Sequence, residues 1–239
     1  MSTAGGKAGG ARPSAHCNIV LSFAPYLAGA IYPSMLEIIN LLCVRDERAL
    51  FEALTFRVSA GDIVQIEGPN GAGKTSLLRI LAGLSAPEQG EVLWQSHPIQ
   101  RQRDEWHRAM LYLGHLPGIK AVLTPLENLR FYHPACSDEQ MFNALASVEL
   151  AGYEDVAASQ LSAGQQRRIA LARLWLTRAR LWILDEPMTA IDKAGIETLM
   201  ARFDQHLQGG GSLILTSHQE LPALRGKITK ISLNSGEFH

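Results

Sequence analysis

The run Gly68-Pro69-Asn70-Gly71-Ala72-Gly73-Lys74-Thr75-Ser76 has the spacing G-x-x-x-x-G-K-[ST] and follows directly on the apolar run Ile63-Val64-Gln65-Ile66. A strand feeding a glycine-rich turn and then a helix is the arrangement in which backbone N–H groups converge on phosphate oxygens. Here the N–H groups of Gly71, Gly73 and Lys74 must turn inward, through conformations and a close approach that a Cβ would obstruct. The helix starting near Lys74 adds its positive end to the same pocket. Lys74 then reaches the β- and γ-phosphates, and the Thr75 hydroxyl holds Mg²⁺. A glycine-rich turn that matches by accident is the rival reading. The strand before it and the apolar helix after it (Leu77, Leu78, Ile80, Leu81) weigh against that rival.

Leu181-Trp182-Ile183-Leu184-Asp185-Glu186-Pro187 is an apolar strand ending in two carboxylates. On a parallel sheet such a strand ends beside the phosphate loop, where Asp185 holds the Mg²⁺ shell and Glu186 polarises an attacking water. Adjacent carboxylates alone are equally a solvated strand end; beside a phosphate loop the catalytic reading prevails. Leu161-Ser162-Ala163-Gly164-Gln165 opens a helix, so its N–H groups and the Ser162 hydroxyl make a second anion site. By itself that segment is only a capped helix start.

The elements that must position these groups follow from periodicity. Strand-like segments at 36–44, 50–58 and 62–66 precede the loop, with Arg45-Asp46-Glu47-Arg48 as the first turn. Antiparallel pairing there suits a sheet that covers a nucleotide base. A helix over 75–84, ended by Gly83 and Ser85-Ala86-Pro87, a strand over 91–94, a short polar helix ending at 106–110 and a strand over 110–114 come next. From about 117 to 155 the pattern is helical: Thr124-Pro125 starts one helix bearing Leu126, Leu129 and Phe131, and Met141, Leu145, Val148 and Leu150 line another. A third helix runs over 161–176, capped by Ser162. Strands at 180–184, 212–216 and 228–233, with helical segments around 196–207 and 219–224, complete an alternation that means a mainly parallel sheet.

The 239 residues allow one large domain; 46% are hydrophobic, 19% are charged and the net charge is −1, which suggests neither disorder nor a nucleic-acid footprint. Cys17, Cys43 and Cys136 are far apart and form no CxxC, as in a reduced compartment. No apolar run reaches the roughly 20 residues needed to span a bilayer. Residues 1–34 differ in composition from the rest. They imitate a secretory signal superficially, but a disordered or loosely packed extension ahead of Met35 is the favoured reading.

Together with Thr189-Ala190-Ile191-Asp192 and the His218 that follows the strand over 213–216, these motifs resemble, in order, the nucleotide-binding domain of ATP-binding cassette (ABC) proteins, over about 36–235. The resemblance implies an α/β fold of the P-loop NTPase, ABC ATPase type spanning 35–239. It adds an antiparallel β-subdomain and a helical subdomain at about 118–177, with ATP and Mg²⁺ as ligands. It implies that Lys74, Glu186 and His218 are catalytic, His218 contacting the γ-phosphate and orienting Glu186. Residues 68–76 hold the nucleotide in one copy, and Ser162, Gly164 and Gln165 close over it from a second copy. Asp192 sits at the seam of that head-to-tail homodimer.

Two positions depart from the family. Arg45 stands where an aromatic residue usually stacks on adenine, and a guanidinium plane also stacks. Gly114-His115-Leu116-Pro117 stands where a Gln usually ligates Mg²⁺ beside Thr75 and Asp185. His115 is able to take part of that role; Leu116 is not a ligand.

Longer phrases, Leu42-Cys43-Val44-Arg45-Asp46-Glu47-Arg48, Gly114-His115-Leu116-Pro117-Gly118-Ile119-Lys120, Leu126-Glu127-Asn128-Leu129, Leu161–Arg168 running into Ala170-Leu171-Ala172-Arg173-Leu174-Trp175-Leu176, and Ala190-Ile191-Asp192-Lys193, look like the ATP-binding subunits of cytochrome c maturation exporters, the CcmA-type haem exporter family. This implies a peripheral subunit on the cytoplasmic face of the bacterial inner membrane, docked on an integral permease, whose ATP hydrolysis serves haem handling. The docking groove is expected over 116–134, with Phe131 and Tyr132 exposed. His97, His107, His115 and His133 belong to no haem attachment motif and read as solvated or capping histidines. The alternatives are the ATPase subunit of another ABC transporter and a soluble ABC ATPase acting on nucleic acid or ribosomes, which near-neutral charge opposes. A regulatory nucleotide-binding module without turnover is opposed by Glu186.

Overall fold

The computed structural model describes residues 35–217, 221 and 224–233. The extension expected over 1–34, His218 and most of the helical segment expected over 219–224 lie outside the described residues.

β1 (Leu36–Arg45) and β2 (Arg48–Val58) form an antiparallel hairpin. Its two turn residues, Asp46 and Glu47, both have positive φ (50° and 61°), which matches the twist of the flanking strands. β4 (Gln89–Trp94) pairs with the other side of β1 and the two-residue β5 (His97–Pro98) follows, giving a four-stranded sheet in the order β2-β1-β4-β5.

The second sheet comprises β3 (Asp62–Glu67), β6 (Met110–Leu113), β7 (Leu181–Leu184), β8 (Ser212–Thr216) and β9 (Lys227–Ser232), in the order β6-β7-β8-β3-β9 with every pairing parallel. Both faces of its central strands are covered, so β7 and β8 are buried along their whole length, whereas the edge strand β9 keeps Lys227, Ile228 and Lys230 exposed. One face, through Ile63, Leu113, Trp182, Leu184 and Leu215, packs on α3 (Pro125–Tyr132), α4 (Asp138–Ser147), α5 (Ala163–Leu176) and α6 (Lys193–Gln208). The other, through Val64, Ile66, Ile183 and Ile214, packs on α1 (Lys74–Leu81), on Trp106 of α2 (Arg103–Ala109) and on the antiparallel sheet. This is the ABC-type α/β architecture expected from the sequence.

Two helices end short of expectation. α1 stops at Leu81, short of 84, because Gly83 turns left-handed (φ 75°), donating its N–H to Ile80 O (3.0 Å) while Leu84 N–H reaches Arg79 O (2.9 Å). That paired closure ends a helix before its apolar pattern runs out. α4 stops at Ser147, and Val148 and Leu150 are buried from the turn that follows it.

Candidate functional site

β3 ends at Glu67 and the chain turns through 68–73 into α1. Gly73 is the helix N-cap at φ 98°, and a Cβ there would come within 2.9 Å of the Leu50 Cβ, so the turn requires glycine. The Lys74 amine lies back over this loop, donating to the carbonyls of Gly68 (2.7 Å) and Pro69 (3.2 Å). Anionic phosphate oxygens are stronger acceptors than either carbonyl. Beside the loop opens a cleft of about 570 Å³ whose lining unites Arg45, Pro69, Asn70, Gly71, Gly73, Lys74, Thr75, Ser76, His115, Asp185 and Glu186. Gly68 and Ala72 back the loop, Ala72 almost fully buried.

At the floor of the cleft and directly beneath it, groups from three elements meet. Asp185, 2% exposed just past β7, accepts from Thr75 Oγ1 at 2.9 Å through one carboxylate oxygen and from Thr216 Oγ1 at 2.8 Å through the other. The same Thr216 hydroxyl, at the end of β8, accepts the Glu186 N–H at 2.8 Å. Glu186 has φ 50°, a left-handed conformation that costs a non-glycine residue about 1–2 kcal/mol and persists only where neighbours enforce it. Thr75 and Asp185 present hard oxygen donors side by side, a set suited to Mg²⁺. The His115 imidazole lines the same cleft but is a poor match for that ion. Arg45 stands at the cleft with its side chain 73% exposed, 3.8 Å from the Asp46 carboxylate.

The serine-capped helix start is built separately. Ser162 Oγ accepts from Gln165 N–H (3.2 Å) and Gln165 Oε1 accepts from Ser162 N–H (2.9 Å), a capping box that leaves the hydroxyl proton able to donate. Gly164 sits so close to the next loop that a Cβ would lie 3.1 Å from Ala190 O. Asp192 caps α6 through Gly195 N–H (2.9 Å) and pairs with Arg168 at 3.0 Å. Among the described residues, Ser162, Gly164, Gln165 and Asp192 adjoin one another's loops and not the cleft of the same chain.

Three residues that sequence reasoning did not single out prove central. Thr216 is described above. Asn128, 1% exposed, ties down the loop after β6, accepting from Lys120 N–H (2.7 Å) and donating to Lys120 O (3.0 Å) and Thr124 O (3.0 Å). Arg167, 5% exposed, reaches the ends of two strands. In the sequence Arg167 stands beside a second Arg, Arg168, and nothing there tells the buried guanidinium from its partly buried neighbour.

Over 116–134 the exposure is uneven. Leu116, Val122 and Phe131 are 79%, 85% and 56% exposed. Tyr132 is not: its ring lies under the Arg173 guanidinium (3.9 Å) and its hydroxyl donates to the Gly118 carbonyl. A groove of about 590 Å³ adjoins it, lined among others by Arg108, His133, Arg173 and Arg178. Burial, and after it the Arg173 charge, lower the His133 pKa to about 4.

Comparison with known proteins agrees with this geometry. A family model described as ABC transporter matches residues 51–189. A Tatumella citrea protein named Cytochrome c biogenesis ATP-binding export protein CcmA is 67% identical over 201 residues, 84% of this chain and 97% of its own. The Escherichia coli K12 protein of the same name is 59% identical over 199 residues, 83% and 96% of the two chains. Among solved structures, a dimeric bacterial ABC transporter cassette superposes with TM-score 0.74 at 24% identity, over 84% of this chain and 95% of its own. An ATP-binding subunit of an ABC transporter gives 0.71 at 23%, over 77% and 80%.

Proposed function

The chain belongs to the ABC transporter family of ATP-binding subunits, and from that premise we propose that its ATP hydrolysis drives an inner-membrane complex of c-type cytochrome biogenesis, in haem export or in release of a haem-loaded chaperone. The observation that carries the reading is the set Thr75, Asp185 and Glu186 on the floor of the cleft beside Lys74, linked from beneath by the buried Thr216. Residues 68–76 and the N-terminus of α1 bind the triphosphate, and Arg45 lies flat against the base. Thr75 and Asp185 are the residues to hold Mg²⁺, and His115 lines the same cleft. That ion, when bound, neutralises charge on the phosphoryl oxygens. Glu186 polarises the attacking water, and His218 contacts the γ-phosphate and orients Glu186.

Ser162, Gly164 and Gln165 of a second copy close over the nucleotide, with Asp192 at the seam. A homodimer is in keeping with the dimeric cassette that shares the fold. No helix among the described residues is long and apolar enough to cross a membrane. The export-protein names of the relatives support an integral permease subunit as the membrane-spanning partner. The exposed Leu116, Val122 and Phe131 support the stretch 116–134 as its docking face. The relatives' printed names supply the cytochrome c context.

The test is genetic and enzymatic together. A cell lacking this chain regains covalently haem-loaded c-type cytochromes with the native sequence and not with Lys74→Ala. In the purified complex, Glu186→Gln retains ATP binding and lowers kcat by about 10²–10⁴-fold, the range for removal of a general base. Full restoration by Lys74→Ala would dispose of the ATP-driven role.

A further inference from the structure

We infer that Arg167 is a positioning residue that ties the ATP-closing end of α5 to the backbone carrying Glu186. This rests on the reading that the Ser162 end of α5 closes over a second copy's nucleotide. The guanidinium donates through Nη1 to Gly114 O (2.7 Å) and His115 O (3.4 Å), and through Nη2 to Asp185 O (2.7 Å) and Glu186 O (3.0 Å).

All four acceptors lie just past the C-terminal ends of β6 and β7. Those strands are paired up to Leu113 and Leu184, and the last rung is Asp185 N–H to Leu113 O at 2.8 Å. Beyond that rung the sheet ladder offers nothing further to hold the two chain segments. A planar fork of donors fills the gap; an ammonium has no such fixed geometry. The cation is buried among carbonyls; burial lowers its pKa, and the Asp185 and Glu186 charges oppose that shift without cancelling it.

Its other end is rigid. Arg167 lies in the opening turns of a 14-residue helix whose cap is Ser162 and whose neighbours Ile169, Ala170 and Leu171 are packed in the core. A shift of the helix on closure of the pair therefore moves the carbonyls of Glu186 and His115 together. The left-handed Glu186 is then held by Thr216 on its N–H, and on its carbonyl by Arg167 together with the Thr189 N–H (3.2 Å). Of these, Arg167 is the side chain that joins Glu186 to α5, and its loss should displace the carboxylate without touching the phosphate loop.

The experiment compares Arg167→Gln and Arg167→Lys in the full chain. It reads kcat, KM for ATP, and ATP-driven dimer formation in a Glu186→Gln background. The expected result is a kcat lowered about 10–100-fold, as for a small misplacement of a reacting group, with KM within about twofold and ATP-driven pairing kept. Lys restores part of the loss. A soluble Arg167→Gln chain with native kcat overturns the proposal, as does simultaneous loss of kcat, ATP binding and pairing, which marks a purely structural staple. If Gln prevents folding, a folded Arg167→Lys chain with native kcat overturns it equally. Failure of Glu186→Gln alone to pair on ATP overturns the closure reading underneath.

Discussion

Thr216 serves two groups with one hydroxyl, donating to Asp185 and accepting from the Glu186 N–H. Valine has the same shape and neither function. Thr216→Val should therefore leave a buried carboxylate oxygen and a backbone N–H each without this partner, at about 1–3 kcal/mol per group. The expected result is a lowered Tm with a fall in kcat, and Thr216→Ser should restore both. A Val variant with native kcat would mean that the hydroxyl does not set the Glu186 geometry. Nothing in the text of β8 singles this residue out, since it reads as the polar last letter of an apolar strand. Lys74, Thr75, Asp185 and Glu186 were legible because their chemistry is written in consecutive residues with fixed spacing. Thr216, Asn128 and Arg167 were not, because each acts on backbone or carboxylate groups brought to it only by the fold.

Among the elements, those with strong punctuation were readable: the capping boxes at Thr124, Ser137 and Ser162 each open a helix. Ends were less so, as the left-handed Gly83 shows at α1. The end of α6 also carries a pH dependence. His206 stacks on Trp182 at 3.7 Å and 8°. Burial, with a smaller contribution from Arg202, brings its pKa to about 4 against the pull of backbone hydrogen bonds from the Ser212 and Arg180 segments. His133 at the end of α3 is lowered to about 4 as well. An unfolded chain takes up these protons near the ordinary histidine value of about 6.5, whereas the folded one resists them. Stability is then complete above about pH 6.5 and falls as pH drops toward 4. Each ring contributes at most about 1.4 kcal/mol per pH unit inside that window, and water screening of the partly buried rings narrows the window. Urea melts at pH 7.5, 6 and 5 should show the decline, and His206→Phe should flatten it; an unchanged slope would assign it to other groups.

At the scale of the whole molecule, one chain presents two half-sites on different surfaces. The cleft beside Lys74 holds the carboxylates, and the Ser162 helix start, packed against Ala190 and linked through Arg168 to Asp192, stands apart from it. If head-to-tail pairing completes each site, defects in the two halves must complement. Lys74→Ala destroys the cleft half. Gly164→Asp puts a bulky anion where even a Cβ would lie 3.1 Å from Ala190 O, and destroys the other. Each variant alone should be inactive. In an equimolar mixture half of the pairs are mixed, and each mixed pair has one site with both defects and one with neither. About a quarter of native activity should therefore return, if the sites act independently and subunits exchange freely. A chain that completed its own site would give no recovery at any ratio. If the mixture stays inactive although each variant still pairs with the native chain, closure in trans is wrong and the Ser162 helix start needs another ligand.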